Sequence, residues 1–156
     1  MIKRILTYIL SIALALAVGG LSALLGGGTS IYEEINRPFL SPPGWLFPVV
    51  WTVLYVLMGI GAALVYEKRK NAPQAARRGL FYYGVSLLLN FAWSPIFFRL
   101  QAFLLAFFWL VALLFSVIAT VENYKKVSKT AARLQIPYLL WLGFAAYLSA
   151  SIALIN

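Results

Sequence analysis

Five long apolar runs follow one another along this chain of 156 residues, and they constrain its fold more than any other feature. Each run has about 20 residues, the length an α-helix needs to cross the ~30 Å hydrocarbon core of a bilayer. The runs cover residues 5–25, 45–66, 80–98, 102–121 and 134–155. We find no alternation of the kind that a membrane β-barrel requires. The sequence therefore predicts an all-α integral membrane protein, a bundle of five transmembrane helices forming one domain over residues 1–156.

The composition supports a membrane protein and excludes several kinds of chemistry. Hydrophobic residues make up 63% of the chain and charged residues only 11%, whereas a soluble domain has about 25% charged residues. The net charge of +9 is clustered between the apolar runs, so we expect no nucleic-acid partner. Cysteine, histidine and aspartate are all absent. A Ser-His-Asp triad is thus impossible, we expect no metal site, and axial His or Cys ligation of haem iron is excluded, which leaves a tyrosine ligand as a remote option.

The basic residues indicate how the helices are oriented. Eleven of the thirteen flank the runs on one side: Lys3, Arg4, Lys68, Arg69, Lys70, Arg77, Arg78, Lys125, Lys126, Lys129 and Arg133. The other side has only Arg37 and Arg99. Because cytoplasmic loops are enriched in Lys and Arg, we expect a cytoplasmic N-terminus and an external C-terminus.

Aromatic and small polar residues recur at helical spacing in three of the runs, which predicts that they share faces. The stripes are Trp51, Tyr55, Met58 and Ala62 in the second run, Ser86, Asn90, either Trp93 or Ser94, and Phe97 in the third, and Tyr138, Trp141, Ala145, Leu148 and Ser149 in the fifth. The first run has small residues at every fourth position from Ser11 to Gly27, which favours close helix packing.

Several aromatic and polar residues of the apolar runs also have an interpretation that needs no ligand. Trp45 and Phe47 stand at the end of a run and fit an interfacial aromatic belt. Asn90 is equally consistent with joining two helices and with contacting a ligand, because a buried amide needs a partner. Trp109 has no polar neighbours, so we expect it to pack or to face lipid.

The stretch NRPFLSPPGWLFPVVW, residues 36–51, is unusual for a connecting loop. Pro38, Pro42 and Pro43 each fix φ and remove a backbone donor. Pro48 falls in the first turn of the second helix, where a missing N–H costs no helical hydrogen bond. The stretch is suited to being a rigid lid over a cavity, and a stiff surface connector is the alternative.

Three segments in the right order resemble the tryptophan-rich sensory protein family, also called the translocator protein or peripheral benzodiazepine receptor family (TspO/MBR). They are YEEINRPFLSPPGWLFPVVWTVLYVLMGIGAALVY, NFAWSPIFF and PYLLWLGFAAYLSASIALIN. The most specific element is PP-x₇-W-x₃-Y, formed by Pro42, Pro43, Trp51 and Tyr55. The resemblance implies a five-helix bundle, commonly a homodimer, here in a bacterial cell membrane.

The resemblance also implies a pocket beneath the first loop that binds protoporphyrin IX, haem and benzodiazepine-type ligands. The expected ligand-binding residues are Tyr32, Pro42, Pro43, Trp51, Tyr55, Asn90, Trp93, Tyr138, Trp141 and Ala145. Flat aromatic rings suit a porphyrin face, indole and amide N–H groups suit its polar edge, and Arg37 suits a propionate. No cofactor is required; the tetrapyrrole is the ligand.

The chain departs from the family pattern at three places. Ile31 stands where many members have a tryptophan, and Trp109 stands where many have an intramembrane aspartate. The cholesterol motif of animal members ends in Lys or Arg, whereas no basic residue follows Arg133. We therefore expect no sterol site.

Three functions remain open from the sequence. The first is a membrane protein that binds tetrapyrroles for sensing, sequestration or transport. The second is an enzyme that degrades porphyrin with light and oxygen, with Trp51 and Trp141 as catalytic residues. The third is a structural or regulatory partner of another membrane protein.

Overall fold

The computed structural model describes residues 1–156, and all of its regular structure is helical. The helices are α1 (Ile2–Gly26), α2 (Ser30–Glu34), α3 (Leu46–Glu67), α4 (Pro73–Ser94), α5 (Phe103–Val127), α6 (Lys129–Leu134) and α7 (Ile136–Ile155). A π-helical turn, Pro95–Arg99, prolongs α4. Five segments are long and apolar enough to span a membrane: α1, α3, α4 with its π-helical turn, α5, and α6 with α7. The expected all-α fold with five spans is confirmed.

The helices extend beyond the apolar runs where the sequence is basic. α4 begins at Pro73, and α5 continues to Val127, whereas the apolar runs begin at residue 80 and end at residue 121. Proline is favoured at the first helical position, and Ala, Arg and Lys are good helix formers. Helix length is therefore set by propensity as well as by bilayer thickness.

The two ends of the bundle are chemically different. At one end, here called the basic end, Arg4 and Tyr8 of α1 bind Glu67 of α3, with Arg4 Nε 3.0 Å and Tyr8 Oη 3.1 Å from carboxylate oxygens. At the other, here called the loop end, residues 27–45 meet the C-terminal Asn156. The eleven clustered cations thus lie at the end opposite the proline-rich loop.

Close approach of α1 and α3 depends on Gly59. A Cβ there would lie 2.6 Å from the Cα of Ile12, closer than any real side chain tolerates. The Oγ of Ser11 also donates a hydrogen bond to the Gly59 carbonyl at 2.7 Å. Gly59 of α3, with Ser11 of the α1 small-residue ridge beside it, therefore lets the two backbones approach closely, as small residues do between membrane helices.

The π-helical turn follows from Pro95, whose missing N–H interrupts the α-helical pattern. Leu100 N–H bonds to the Pro95 carbonyl at 2.9 Å, five residues back. Such turns are rare and often occur at functional sites. Here the turn buries the rings of Phe97 and Phe98 at the loop end.

Candidate functional site

The first loop is folded into an ordered cover by its own polar groups. Gly44 N–H donates to Glu33 Oε1 at 3.2 Å, and Arg37 forms an ion pair with the same carboxylate at 3.2 Å. Ser41 Oγ donates to the Pro38 carbonyl at 2.7 Å. The short helix α2 thereby fixes the segment in which the prolines lie.

The cover is also tied to α7 by hydrogen bonds between residues far apart in sequence. Asn36 N–H donates to Asn156 Oδ1 at 3.0 Å, and Asn156 Nδ2 donates to the Asn36 carbonyl at 2.9 Å. Tyr147 Oη donates to the Phe39 carbonyl at 2.8 Å. These three contacts, here called the latches, hold the loop end shut.

A cavity of about 100 Å³ lies beneath the cover, between α1, α3 and α4. Aromatic rings and small residues line it: Gly19, Ser22, Ala23, Gly28, Thr29, Phe47, Pro48, Trp51, Tyr55, Asn90, Trp93, Ser94 and Phe98. Drug-sized ligands occupy pockets of roughly 300–1,000 Å³. The structure is therefore a closed form, and a large ligand requires the cavity to widen.

Trp51 is the centre of an aromatic array that joins α3 to α7. Its ring stacks on Tyr55 at a centroid distance of 5.6 Å. It meets Tyr138 edge-on at 5.9 Å and Trp141 edge-on at 6.4 Å. Such offset and edge-to-face contacts are the favoured geometries of aromatic pairs. The second and fifth apolar runs therefore meet through their aromatic stripes.

Asn90 joins two helices and also lies in the wall of the larger cavity. Its Nδ2 donates to Tyr138 Oη at 3.1 Å, which joins α4 to α7. The same side chain lines the cavity below the cover. A ligand with a hydrogen-bonding group can therefore compete for an amide that now joins two helices.

A second, much smaller cavity of about 10 Å³ lies on the α7 side. Tyr32, Ala145, Leu148, Ser149, Ile152 and Phe97 line it together with Phe47, Trp93 and Phe98. The last three rings line both cavities, so they form the wall between them. Movement of this wall would merge the two spaces into one.

Seven buried side-chain groups have no hydrogen-bond partner, and four of them belong to the aromatic site. Tyr32 Oη, Trp93 Nε1 and Ser149 Oγ belong to residues that line the cavities, and Trp141 Nε1 belongs to a ring that contacts Trp51. A buried donor without a partner is costly, and most such groups in proteins are satisfied. Burial raises the pKa of Tyr32 above its ordinary value, so its hydroxyl is a neutral donor at pH 7. All four groups are suited to an acceptor supplied by a ligand.

Most of the residues expected at the site from the sequence lie around these two cavities. Trp51, Tyr55, Asn90 and Trp93 line the larger one, and Tyr32, Ala145 and again Trp93 line the smaller one. Tyr138 and Trp141 line neither cavity, but both contact the ring of Trp51.

Besides Tyr138 and Trp141, three expected contributors in the first loop lie outside the cavity walls. Pro42 and Pro43 belong to the cover; Pro42 is half-buried and Pro43 is exposed. Arg37 is bound to Glu33, and its guanidinium lies 5.2 Å from the centroid of the Tyr32 ring. A propionate would have to displace or share the Glu33 carboxylate.

The interpretation of Phe47 as an interfacial belt residue is wrong. Phe47 is only 6% exposed and lies between Tyr32, at 5.0 Å, and Trp141, at 5.8 Å. Its position one turn before Trp51 and two turns before Tyr55 was the available signal. Trp45, by contrast, is 66% exposed, as a belt residue should be.

Trp109 lies away from both cavities, in agreement with its interpretation as a packing residue. Its Nε1 donates to the Leu89 carbonyl at 2.8 Å, linking α5 to α4. No sequence pattern predicts this bond, because its acceptor is a backbone carbonyl 20 residues away.

Residues 11–155 match the model of the TspO/MBR family. The chain is 37% identical to the tryptophan-rich protein TspO of Chlorobaculum tepidum, over 99% of this chain and 98% of that protein. It is 35% identical to the tryptophan-rich protein TspO of Archaeoglobus fulgidus, over 98% and 99%. It is also 36% identical to the translocator protein of Homo sapiens, over 80% and 73%. These similarities agree with the resemblance carried by the three sequence segments.

Proposed function

The chain belongs to the TspO/MBR family of membrane proteins, and on that premise we propose that it binds tetrapyrroles, protoporphyrin IX or haem, beneath the first loop. The observation that carries the proposal is an aromatic site with three unpaired buried donors among its lining residues and a fourth, Trp141 Nε1, on a ring that contacts Trp51. A porphyrin is a flat apolar ring system with two carboxylates, so it offers both a stacking face and acceptors.

The binding step requires the closed site to open. The ring wall of Phe47, Trp93 and Phe98 moves aside and joins the two cavities, while Trp51 and Tyr138 keep a stacking surface. Pro42 and Pro43 limit the shapes available to the cover, so it opens as a unit. Haem iron has no His or Cys to bind, and metal-free porphyrin is expected to bind about as well as haem.

Titration of the purified protein with protoporphyrin IX, in the dark and under illumination, tests the proposal. Binding predicts a saturable shift of the Soret band in the dark with no loss of intensity. The absence of any shift at saturating porphyrin contradicts the proposal and favours a structural or regulatory role beside another membrane protein.

Light-dependent porphyrin degradation is the second candidate function. It is favoured by the contact between Trp51, which lines the larger cavity, and Trp141, whose indole ring lies 6.4 Å from that of Trp51. The excited porphyrin and molecular oxygen would supply the oxidising chemistry. Loss of the Soret band under light, faster than for free porphyrin in the same detergent, supports this function.

We also propose that the basic end faces the cytoplasm of a bacterial cell and that the latched loop faces outward. The eleven-to-two distribution of cations supports this orientation. A reporter fused to Asn156 should be active only outside the cytoplasm, and cytoplasmic activity would overturn the proposal. By family resemblance we expect a homodimer, which light scattering of the purified protein measures.

A further inference from the structure

A depression of about 280 Å³ at the basic end combines cationic and apolar side chains. It lies between α5, α6 and the start of α7, far from the aromatic cavities. Its lining residues are Val121, Lys125, Lys129, Ala132, Arg133 and Ile136. The two-part chemistry of this lining differs from that of the other grooves of the bundle, which are almost wholly apolar.

The position of α6 determines where two of the cations, Lys129 and Arg133, lie. The backbone is extended at Ser128, whose Oγ accepts a hydrogen bond from Ala131 N–H at 3.4 Å and caps the short helix. Ala131 and Ala132 are buried, so α6 is held against the bundle. Lys129 and Arg133 are one turn apart and therefore project together from its exposed side.

The depression carries an excess of positive charge. Lys125 forms an ion pair with Glu122 at 2.6 Å, but both side chains are more than half exposed, where such pairs are weak. Lys129 and Arg133 have no carboxylate partner. The other three acidic residues lie elsewhere, Glu33 and Glu34 in α2 and Glu67 beside Arg4.

Below the cations the lining becomes apolar in the direction of the membrane interior. Val121 and Ala132 are buried, and Ile136 is 38% exposed. One turn deeper along α5, Ile118 is 39% exposed. A soluble anion would not contact these apolar residues, and a zwitterionic lipid would not neutralise the cations.

We propose that this depression binds an anionic phospholipid. Its phosphate lies between Lys129 and Arg133, and one acyl chain runs over Val121, Ile136 and Ile118. Basic pockets between transmembrane helices are a recurring site for anionic head groups. The bound lipid would join α6 to α5 and α7. The site is independent of the tetrapyrrole site and of which side of the membrane the basic end faces.

Native mass spectrometry of the protein in a neutral detergent, titrated with dioleoyl phosphatidylglycerol or dioleoyl phosphatidylcholine, tests this site. We expect one phosphatidylglycerol to be retained in preference to phosphatidylcholine. Lys129→Gln with Arg133→Gln should weaken that retention about tenfold or more, since each cation near a head group contributes substantially. If the double variant does not fold, each single substitution should give about a threefold loss.

The matched control is Arg77→Gln with Arg78→Gln, which removes the same charge from the exposed start of α4 at the same end. It should retain phosphatidylglycerol as the unchanged protein does. Equal loss in both double variants would mean a diffuse attraction of lipid to any basic residue and would overturn the site. Displacement of the lipid by millimolar inorganic phosphate would assign the cations to a free anion and overturn it too.

Discussion

The two ends of the bundle are closed by different kinds of side chain. Towards the basic end, helices meet through small residues: a Cβ at Gly59 would strike the α1 backbone, and one at Gly79 would lie 2.7 Å from the Tyr124 ring. At the loop end, the helices are held apart by the rings of Phe47, Trp51, Trp93 and Trp141. The helices leave no space at Gly59 and Gly79, whereas at the loop end the rings, together with small residues of α1, enclose cavities that we propose a ligand enlarges.

Buried polar groups without a partner occur in both halves of the bundle. At the basic end, Glu67 binds both Arg4 and Tyr8, but Tyr83 Oη, Tyr124 Oη and Gln135 Nε2, in the half nearer that end, have no partner. The other four unpaired groups belong to the aromatic site, where we propose that a ligand binds.

Gly59→Leu should have the largest effect, because the new side chain must displace the α1 backbone at Ile12. Overpacking of this kind costs typically about 1–3 kcal/mol and occasionally more, and a rigid backbone neighbour favours the upper part of that range. Denaturant unfolding followed by circular dichroism in detergent measures the loss. Gly84→Leu is the matched control, since a Cβ at Gly84 meets open space. Equal losses at the two positions would show that close contact is not what stabilises the α1–α3 pair.

Trp51→Ala and Trp141→Ala should each weaken protoporphyrin IX binding by about 1–3 kcal/mol, through lost stacking and lost apolar contact. Phe at either position should keep most of the affinity because a ring remains. If indole chemistry matters, the Phe variants should bind porphyrin but lose its light-dependent degradation.

Trp109→Phe is the control for both of these variants. It removes the bond to Leu89 but touches neither cavity, so porphyrin affinity should be unchanged. A loss as large as that of Trp51→Ala would mean that the binding site lies elsewhere in the bundle.

Asn90→Leu should lower the stability of the protein by about 0.6 kcal/mol, and at most about 1.7 kcal/mol, the range measured for hydrogen bonds between membrane helices. The cause is the loss of its bond to Tyr138. Thermal unfolding of the ligand-free protein measures it. Porphyrin affinity should fall less than in Trp51→Ala; a larger fall would assign the amide mainly to the ligand.

Asn156→Ala should have the smallest effect on global stability, because it removes two exposed hydrogen bonds to Asn36. Its effect should appear locally, as faster hydrogen exchange over residues 32–40. In the unchanged protein, porphyrin should alter exchange over the same residues. Identical exchange with and without porphyrin would identify the loop as a stiff connector and not a ligand-responsive lid.

The sequence was sufficient for the features that have a regular period. Five runs of spanning length predicted the five long helices, and the spacing of Trp51 and Tyr55, or of Tyr138 and Trp141, predicted shared faces. Hydrophobic length and helical period act within one segment, so they can be read without knowing the partner helices.

Features that depend on distant residues could not be predicted in this way. The latch between Asn36 and Asn156 joins positions 120 residues apart. The π-helical turn at Pro95 depends on how the chain packs after the missing N–H. The interpretation of Phe47 as a belt residue is wrong because it rests on the position of Phe47 at the end of a run and not on its helical spacing from Trp51.

The indole N–H signals of the five tryptophans test the central claim most directly. In ¹⁵N-tryptophan-labelled protein, assigned by single Trp→Phe substitutions, a bound porphyrin should shift the signals of Trp51, Trp93 and Trp141 by its ring current and hydrogen bonds. The signals of Trp109, already bound to the Leu89 carbonyl, and of exposed Trp45 should stay in place. Shifts confined to Trp109 or Trp45, with the signals of Trp51, Trp93 and Trp141 unchanged, would contradict the proposed site.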